Sequence, residues 1–253
     1  MDLLGIDAYF RELLPIAEFA SVDSSLNGVQ VACSAKPIQK MAFAVDACMA
    51  SFERAQRLGA DVLFVHHGVF WGAPAAVTGS HYERLKYLIQ NDIALYAAHL
   101  PLDAHPVYGN NAGLARALGL IDVEPFGSYR GTKIGLKGKL PEPLRIEGVL
   151  RALGIDRESC TAVLPFGPEE TRTVGIVSGG AAGSVSEAIG QGLDLYLTGD
   201  ALHQVYHLCL EEGINLICGG HYQTEVWGAR LVAQKLTADT GIETFFVDVP
   251  TGL

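Results

Sequence analysis

Histidines and carboxylates end several of the apolar runs in this chain. The stretch LFVHHGVFW, residues 63–71, closes on two adjacent imidazoles, His66 and His67. Another run closes on His99, with Asp103 four residues on; a third closes on His221, with Glu225 four residues on; a fourth, LYLTGD, closes on Thr198 and Asp200. No cysteine joins these tips, so they offer nitrogen and oxygen donors suited to Fe, Mn or Zn. Neighbouring residues on an extended tip diverge, so His66 and His67 could each reach one of two ions lying side by side. Two ions about 3.5–4 Å apart are the usual device for activating a water and clamping both oxygens of a displacement. Such a centre needs a bridging carboxylate, for which Asp103 and Glu225 are the candidates. A single histidine at a strand end also serves as an ordinary hydrogen-bonded residue. The recurrence of the tips is what favours a metal.

Other residues carry weaker signals. His81 begins a helix and His105 precedes Pro106 in a loop, so neither is a ligand candidate. His203 and His207 stand four apart on one helix just after Asp200, a spacing that presents both to one side. His207 could line the pocket, or the pair could form a solvated face. VDSSLNGVQV (22–31) is punctuated like a tight turn by Asp23, Asn27 and Gly28. SGGAAGS (178–184) follows a strand as phosphate loops do, but lacks both GxGxxG and GK[ST] spacing. Arg130, Lys133 and Lys137 could contact an anion or simply be solvated charge.

The elements that position these residues alternate. KMAFAVDA, ADVLFVHH, IALYAAHL, RTVGIVSGG, LDLYLTGD, INLICGGH and IETFFVDVP read as strands, separated by helical segments. This predicts an α/β architecture. Periodicity weakens from about 122 to 172, where KIGLKGKL reads as a strand and EGVLRALG as a short helix. LIQNDIALYAAHLPLD parallels CLEEGINLICGGHYQTE, including the His-x3-carboxylate ending. We read two similar α/β lobes from an internal duplication, with the metal site at the strand ends between them. The expected division is 1–121, holding HH and HLPLD, and 122–253, holding the middle segment, TGD and GHYQTE. Ligands of open α/β sheets sit at the carboxyl ends of strands, where these tips lie.

A net charge of −10 disfavours a nucleic-acid partner and would repel anionic substrates unless a bound cation offsets it. The five cysteines, Cys33, Cys48, Cys160, Cys209 and Cys218, are scattered and never spaced CxxC. They read as reduced thiols of a cytoplasmic protein. The amphipathic start MDLLGIDAYFRELLPIAEF is not a signal peptide, and no apolar run is long enough to span a bilayer.

Taken together, DSSLNGVQV, VHHGVFW, AAHLPLDAHPVYGNN, SGGAAG, LYLTGD and GGHYQTEVWG resemble the interacting-factor-three-like family, from about residue 4 to residue 250. Its bacterial members are commonly labelled GTP cyclohydrolase 1 type 2 homologues. The resemblance implies a two-metal centre inside a ring-shaped hexamer built from dimers. It implies that His66 and His67 bind different ions, that Asp103 joins one of them, and that His221 and Glu225 complete the site with Glu225 bridging. His99 would then line the pocket and orient a ligand or water, whereas the duplication would make it a ligand equivalent to His221. HHG stands where many members have HHP, and TGD where TGE is commoner, which shortens the reach of Asp200.

The leading expectation is a hydrolase with two divalent ions per chain, a metal-bound hydroxide as nucleophile, and a nucleotide or related small anion as substrate. The family label would make the reaction an opening of the guanine imidazole ring of GTP. Two alternatives differ in class: a non-enzymatic metal-binding oligomeric scaffold, and a phosphoesterase.

Overall fold

The structure, a computed structural model, describes residues 1–253. It is mixed α/β with two sheets, and contacts divide it into two compact units. The first comprises Met1–His105 with Ala229–Val249, the second Pro106–Gly228 with Pro250–Leu253.

The first unit contains α1 (Leu3–Leu13), α2 (Ile16–Phe19), β1 (Gly28–Val31), β2 (Lys40–Asp46), α3 (Met49–Arg57), β3 (Val62–His67), α4 (Gly79–Gln90), β4 (Ala94–Ala97) and α5 (Leu100–Asp103). Strands β2, β3 and β4 run parallel, and β1 closes the far side of β4 antiparallel, with Gly28 opposite Ala97. Their central residues are buried almost without interruption because both sheet faces are covered. On one face Phe52 and Ala55 of α3 and Leu85 and Leu88 of α4 pack with Leu63, Val65 and Leu95. Elsewhere Phe10 of α1 meets Phe64 and Tyr96, ring centroids 5.0 and 4.8 Å away. Helix α1 starts where the Asp2 carboxylate accepts the Gly5 N–H, 2.9 Å, and it buries Ile6 and Phe10 one turn apart.

The second unit contains α6 (Asn110–Ala117), β5 (Ile121–Tyr129), β6 (Thr132–Leu144), α7 (Ile146–Leu153), β7 (Ala162–Pro165), β8 (Thr171–Ile176), α8 (Val185–Gly190), β9 (Leu195–Thr198), α9 (Val205–Glu212), β10 (Asn215–Cys218) and the start of α10 (His221–Thr240). Its sheet order is β5-β6-β8-β9-β10-β7. Strands β8, β9 and β10 are parallel and β7 closes β10 antiparallel. The order β7-β10-β9-β8 repeats β1-β4-β3-β2 in both sequence and sense, as the duplication requires.

The division by contacts does not coincide with the expected 1–121 and 122–253. The contact division falls at His105/Pro106 and returns inside α10, between Gly228 and Ala229. The closing strand β11 (Glu243–Phe246) pairs parallel with β2, so the chain's last strand extends the first sheet. Three strands also escaped the sequence reading. β1 falls where the sequence predicts a turn, β5 lies in the stretch of weak periodicity, and β7 is a four-residue antiparallel edge. β5 and β6 form a hairpin closed by Arg130 and Gly131, both at positive φ (48° and 86°), the backbone of a two-residue turn.

Candidate metal centre

In the first unit, β3 carries His66 and His67 to its carboxyl end, where His66 is fully buried and His67 half-buried. The Nδ1–H of His66 donates to the Ala98 carbonyl at 3.0 Å. The Nδ1–H of His67 donates to Asp46 at 2.8 Å; Asp46 ends β2, and strand register sets it opposite His67. His99 follows β4 and donates through Nδ1 to Asp23 at 2.9 Å. Each ring therefore turns its Nε2 lone pair away from its anchor, the arrangement in which carboxylates and carbonyls orient metal-binding imidazoles. The rings gather more closely than strand alternation suggests: His66 lies 4.6 Å from His67 and 5.1 Å from His99, centroid to centroid. One ligand atom from each of these three residues falls within 4.8 Å of the others.

Asp103 reaches the cluster because LPLD forms a single turn of helix capped by His99, with Pro101 pre-set for the first turn. The Asp103 N–H donates to the His99 carbonyl, and its buried carboxylate stands 3.5 Å from His66 Nε2. The Asp23 turn holds the other side. Its carboxylate accepts from Ser25 N–H, Asn27 Nδ2 and Leu100 N–H, while Asn27 Oδ1 accepts the His99 N–H at 2.8 Å. Burial pushes the Asp23 carboxyl pKa up, but the His99 hydrogen bond and charge, with the Asn27 and Ser25 donors, hold it below the usual carboxylate value.

In the second unit, His221 begins α10 and Glu225 lies one turn on, so both side chains share a helix face. His221 Nδ1 donates to Asp200 at 2.9 Å, and its Nε2 is 3.2 Å from the Glu225 carboxylate. The Glu225 hydrogen bond, working against burial and aided by Asp200, lifts the His221 pKa to about 9. The SGGAAG loop closes over this pair. Gly179 sits at φ +66°, and a Cβ there would collide with Glu225 Oε1. The Gly179 carbonyl accepts from Thr198 Oγ1, Gly199 N–H and Asp200 N–H, fixing the loop against the end of β9. The glycines there serve close approach to the carboxylate.

His207 lies on the helix that follows Asp200, as its position in the sequence implies. It is exposed on α9 and, with His203, Leu164, Tyr206 and Leu216, lines an apolar cavity of about 320 Å³. Lys133 and Lys137 are spent on surface ion pairs with Glu187 and Glu124, and Arg130 lies over the Tyr129 ring. His81 lies within α4 and touches Phe70; burial lowers the pKa of His105 in its loop.

Comparison with known proteins fixes the family. Residues 1–252 match the description Duf34/NIF3 (NGG1p interacting factor 3). The chain belongs to the Duf34/NIF3 family. Relatives named GTP cyclohydrolase 1 type 2 homolog occur in Treponema pallidum, 46% identical with 98% of each chain covered, and in Deinococcus radiodurans, 46% identical over 91% of this chain and 88% of the relative. The crystal structure of TTHA1606 from Thermus thermophilus superimposes with a TM-score of 0.89 at 39% identity, covering all of both chains. The resemblance read from the motifs is therefore correct.

For this Duf34/NIF3 chain, the sequence reading passes over Asp46 and takes Asp23 and Asn27 only as turn residues. Asp46, Asp23 and Asn27 hold His67 and His99, and only strand pairing brings them there. Asp46 offered one signal, a carboxylate ending an apolar strand like the other tips.

Proposed function

We propose that this chain is a dinuclear metal-dependent hydrolase acting on a nucleotide or related small anionic substrate. His66, His67 and Asp103 of the first unit, with His221 and Glu225 of the second, would hold two divalent ions of Fe, Mn or Zn, with Glu225 the candidate shared carboxylate. The observation that carries this reading is the common anchoring of His67, His99 and His221. Each gives Nδ1 to a carboxylate, Asp46, Asp23 or Asp200. That geometry turns Nε2 away from the anchor, the arrangement in which carboxylates orient metal-binding imidazoles. Bound ions would supply a water acidic enough to ionise near neutral pH and positive charge for an anionic substrate. The protein's own part is to bury His66 and Asp103, to fix each tautomer, and to seat Glu225 under the glycine loop. His99, its ring held by buried Asp23, orients a ligand or water in the pocket. The printed name of the relatives supports a guanine nucleotide as the substrate, with ring opening as the reaction.

Elemental analysis of gently purified protein tests the proposal. About two ions per chain, falling sharply in His67→Ala and Glu225→Ala, is expected. No stoichiometric metal, with added Fe, Mn and Zn also failing to bind, would overturn it. The family resemblance further supports a hexameric, cytoplasmic protein. No helix is long and apolar enough to cross a membrane. A monomeric mass by light scattering would sink the hexamer.

A further inference from the structure

Trp71 is a large apolar ring left 38% exposed, yet it is held in place from several sides. Its indole N–H donates to the Gly68 carbonyl at 2.8 Å. Its backbone bridges to Ser25, and on either side Leu26 N–H donates to Phe70 and Gly72 N–H to Ser24. The turn 23–27 thus anchors Trp71 through Ser24 and Ser25, and anchors His99 through Asp23 and Asn27. The two rings meet nearly edge to face, centroids 4.8 Å apart and planes at 75°, and His67 lies 6.0 Å from the indole. Residues 72–80, GAPAAVTGS, which follow it, are exposed and carry no charge.

Other exposed aromatics have different company. Tyr82 and Tyr129 lie under Lys86 and Arg130, and Tyr206 abuts Phe166. Among exposed aromatic rings, Trp71 is the one set beside the imidazole cluster. A fixed, open indole is a low-entropy surface for a flat ring, because nothing must be ordered when the ring lands. Stacking also tolerates any base, since every base has a π-face.

We propose that Trp71 is the stacking platform for a planar heteroaromatic ring of the substrate, holding that ring beside His99. This rests on the nucleotide-hydrolase reading above and adds a recognition element to it. Nothing in it requires the ions to act.

The test uses GTP and inorganic triphosphate as probes, with metal-loaded wild type, Trp71→Leu and Trp71→Phe. The chain has only two tryptophans, so emission changes are readily assigned. GTP is expected to quench wild-type emission, and Trp71→Leu to abolish the quench and weaken GTP binding roughly tenfold or more. Trp71→Phe should bind nearly as wild type. Triphosphate affinity and metal content should be the same in all three. Equal GTP affinity in wild type and Trp71→Leu at equal metal content would overturn the proposal. So would quenching by triphosphate, failure of GTP to bind wild type, or quenching by protein concentration alone, which would mark Trp71 as a contact with a second copy. Metal content of the wild type, as purified and after incubation with Fe, Mn or Zn, separates the two ideas: no bound metal in either defeats the dinuclear centre, while quenching by GTP is scored independently, with and without added metal.

Discussion

The Asp46 carboxylate lies 2.8 Å from Nδ1 of His67, directly across two parallel strands. Twenty-one positions separate them in the chain, and the β2–β3 register alone makes them partners. Asp46 is thereby a positioning residue for the proposed ligand. Asp46→Ala should weaken metal affinity about 10- to 100-fold, measured by competition with a chelator. Asp46→Asn should lose less, because an amide oxygen still accepts from Nδ1 without the negative charge. Unchanged affinity in both would remove Asp46 from the site.

Gly179 tests the loop over Glu225. Its positive φ, and the collision that an added methyl would make with Glu225 Oε1, leave no room for alanine. Gly179→Ala should cost about 1–3 kcal/mol of stability and lower metal occupancy. Gly183 nearby has no atom within 4 Å of an added Cβ, so Gly183→Ala should be near neutral. Thermal melts with metal analysis on both variants check this; equal behaviour would contradict it.

Asn111 holds the same loop from below. It is fully buried, accepting the Ser178 N–H at 2.8 Å and donating to the Ile134 carbonyl at 2.8 Å. Asn111→Leu would strand both backbone groups in the interior, at about 1–3 kcal/mol for each. Urea denaturation should show a midpoint drop with an unchanged slope. A shift no larger than that of an exposed substitution would show that the loop finds other partners.

Acid sensitivity should have a component from Asp92. It accepts from Ser34 Oγ and Ser34 N–H, both 2.6 Å, and pairs with Lys36. The Ser34 hydroxyl, then its N–H and Lys36, lower the carboxyl pKa to about 2. A depressed folded-state pKa gives stability that is present above the unfolded value near 4 and is lost as pH falls towards 2. Asp92→Asn, which tolerates the left-handed backbone (φ 52°), should therefore cost on the order of 1 kcal/mol at neutral pH, a figure kept small by solvent screening. The gap from wild type should close by about pH 2. A gap constant with pH would assign the effect to packing.

The parallel strands were legible in the sequence because sheets covered on both faces need unbroken apolar runs, as in AFAV, LFV and LYL. The tips that end them were equally plain, since a histidine or carboxylate after such a run stands out. The antiparallel edges were not. β5 exposes most of its length, and β1 is half-buried and follows directly on the Asp23 turn. Composition therefore gave β1 to the turn, and pairing with β4 decided otherwise. The supporting carboxylates were hidden for a related reason. Asp23 meets His99 across 76 positions, a partnership that no local pattern encodes. Helical periodicity puts His203 and His207 on one face but does not say what that face meets; both line the apolar cavity beside Tyr206.

The repeated order β1-β4-β3-β2 and β7-β10-β9-β8 leaves each four-strand module with one side open to accretion. The antiparallel strand seals the edge beside β4 or β10, while β2 and β8 can each accept a newcomer. One module took up the C-terminal strand β11 there, and the other took up the β5–β6 hairpin. Both additions lie on the edge opposite the sealing strand. Lineages of this fold can thus lengthen or exchange the hairpin and the tail while the strands that bear the histidines keep their register. Insertions and deletions among relatives should gather at residues 121–144 and after 240.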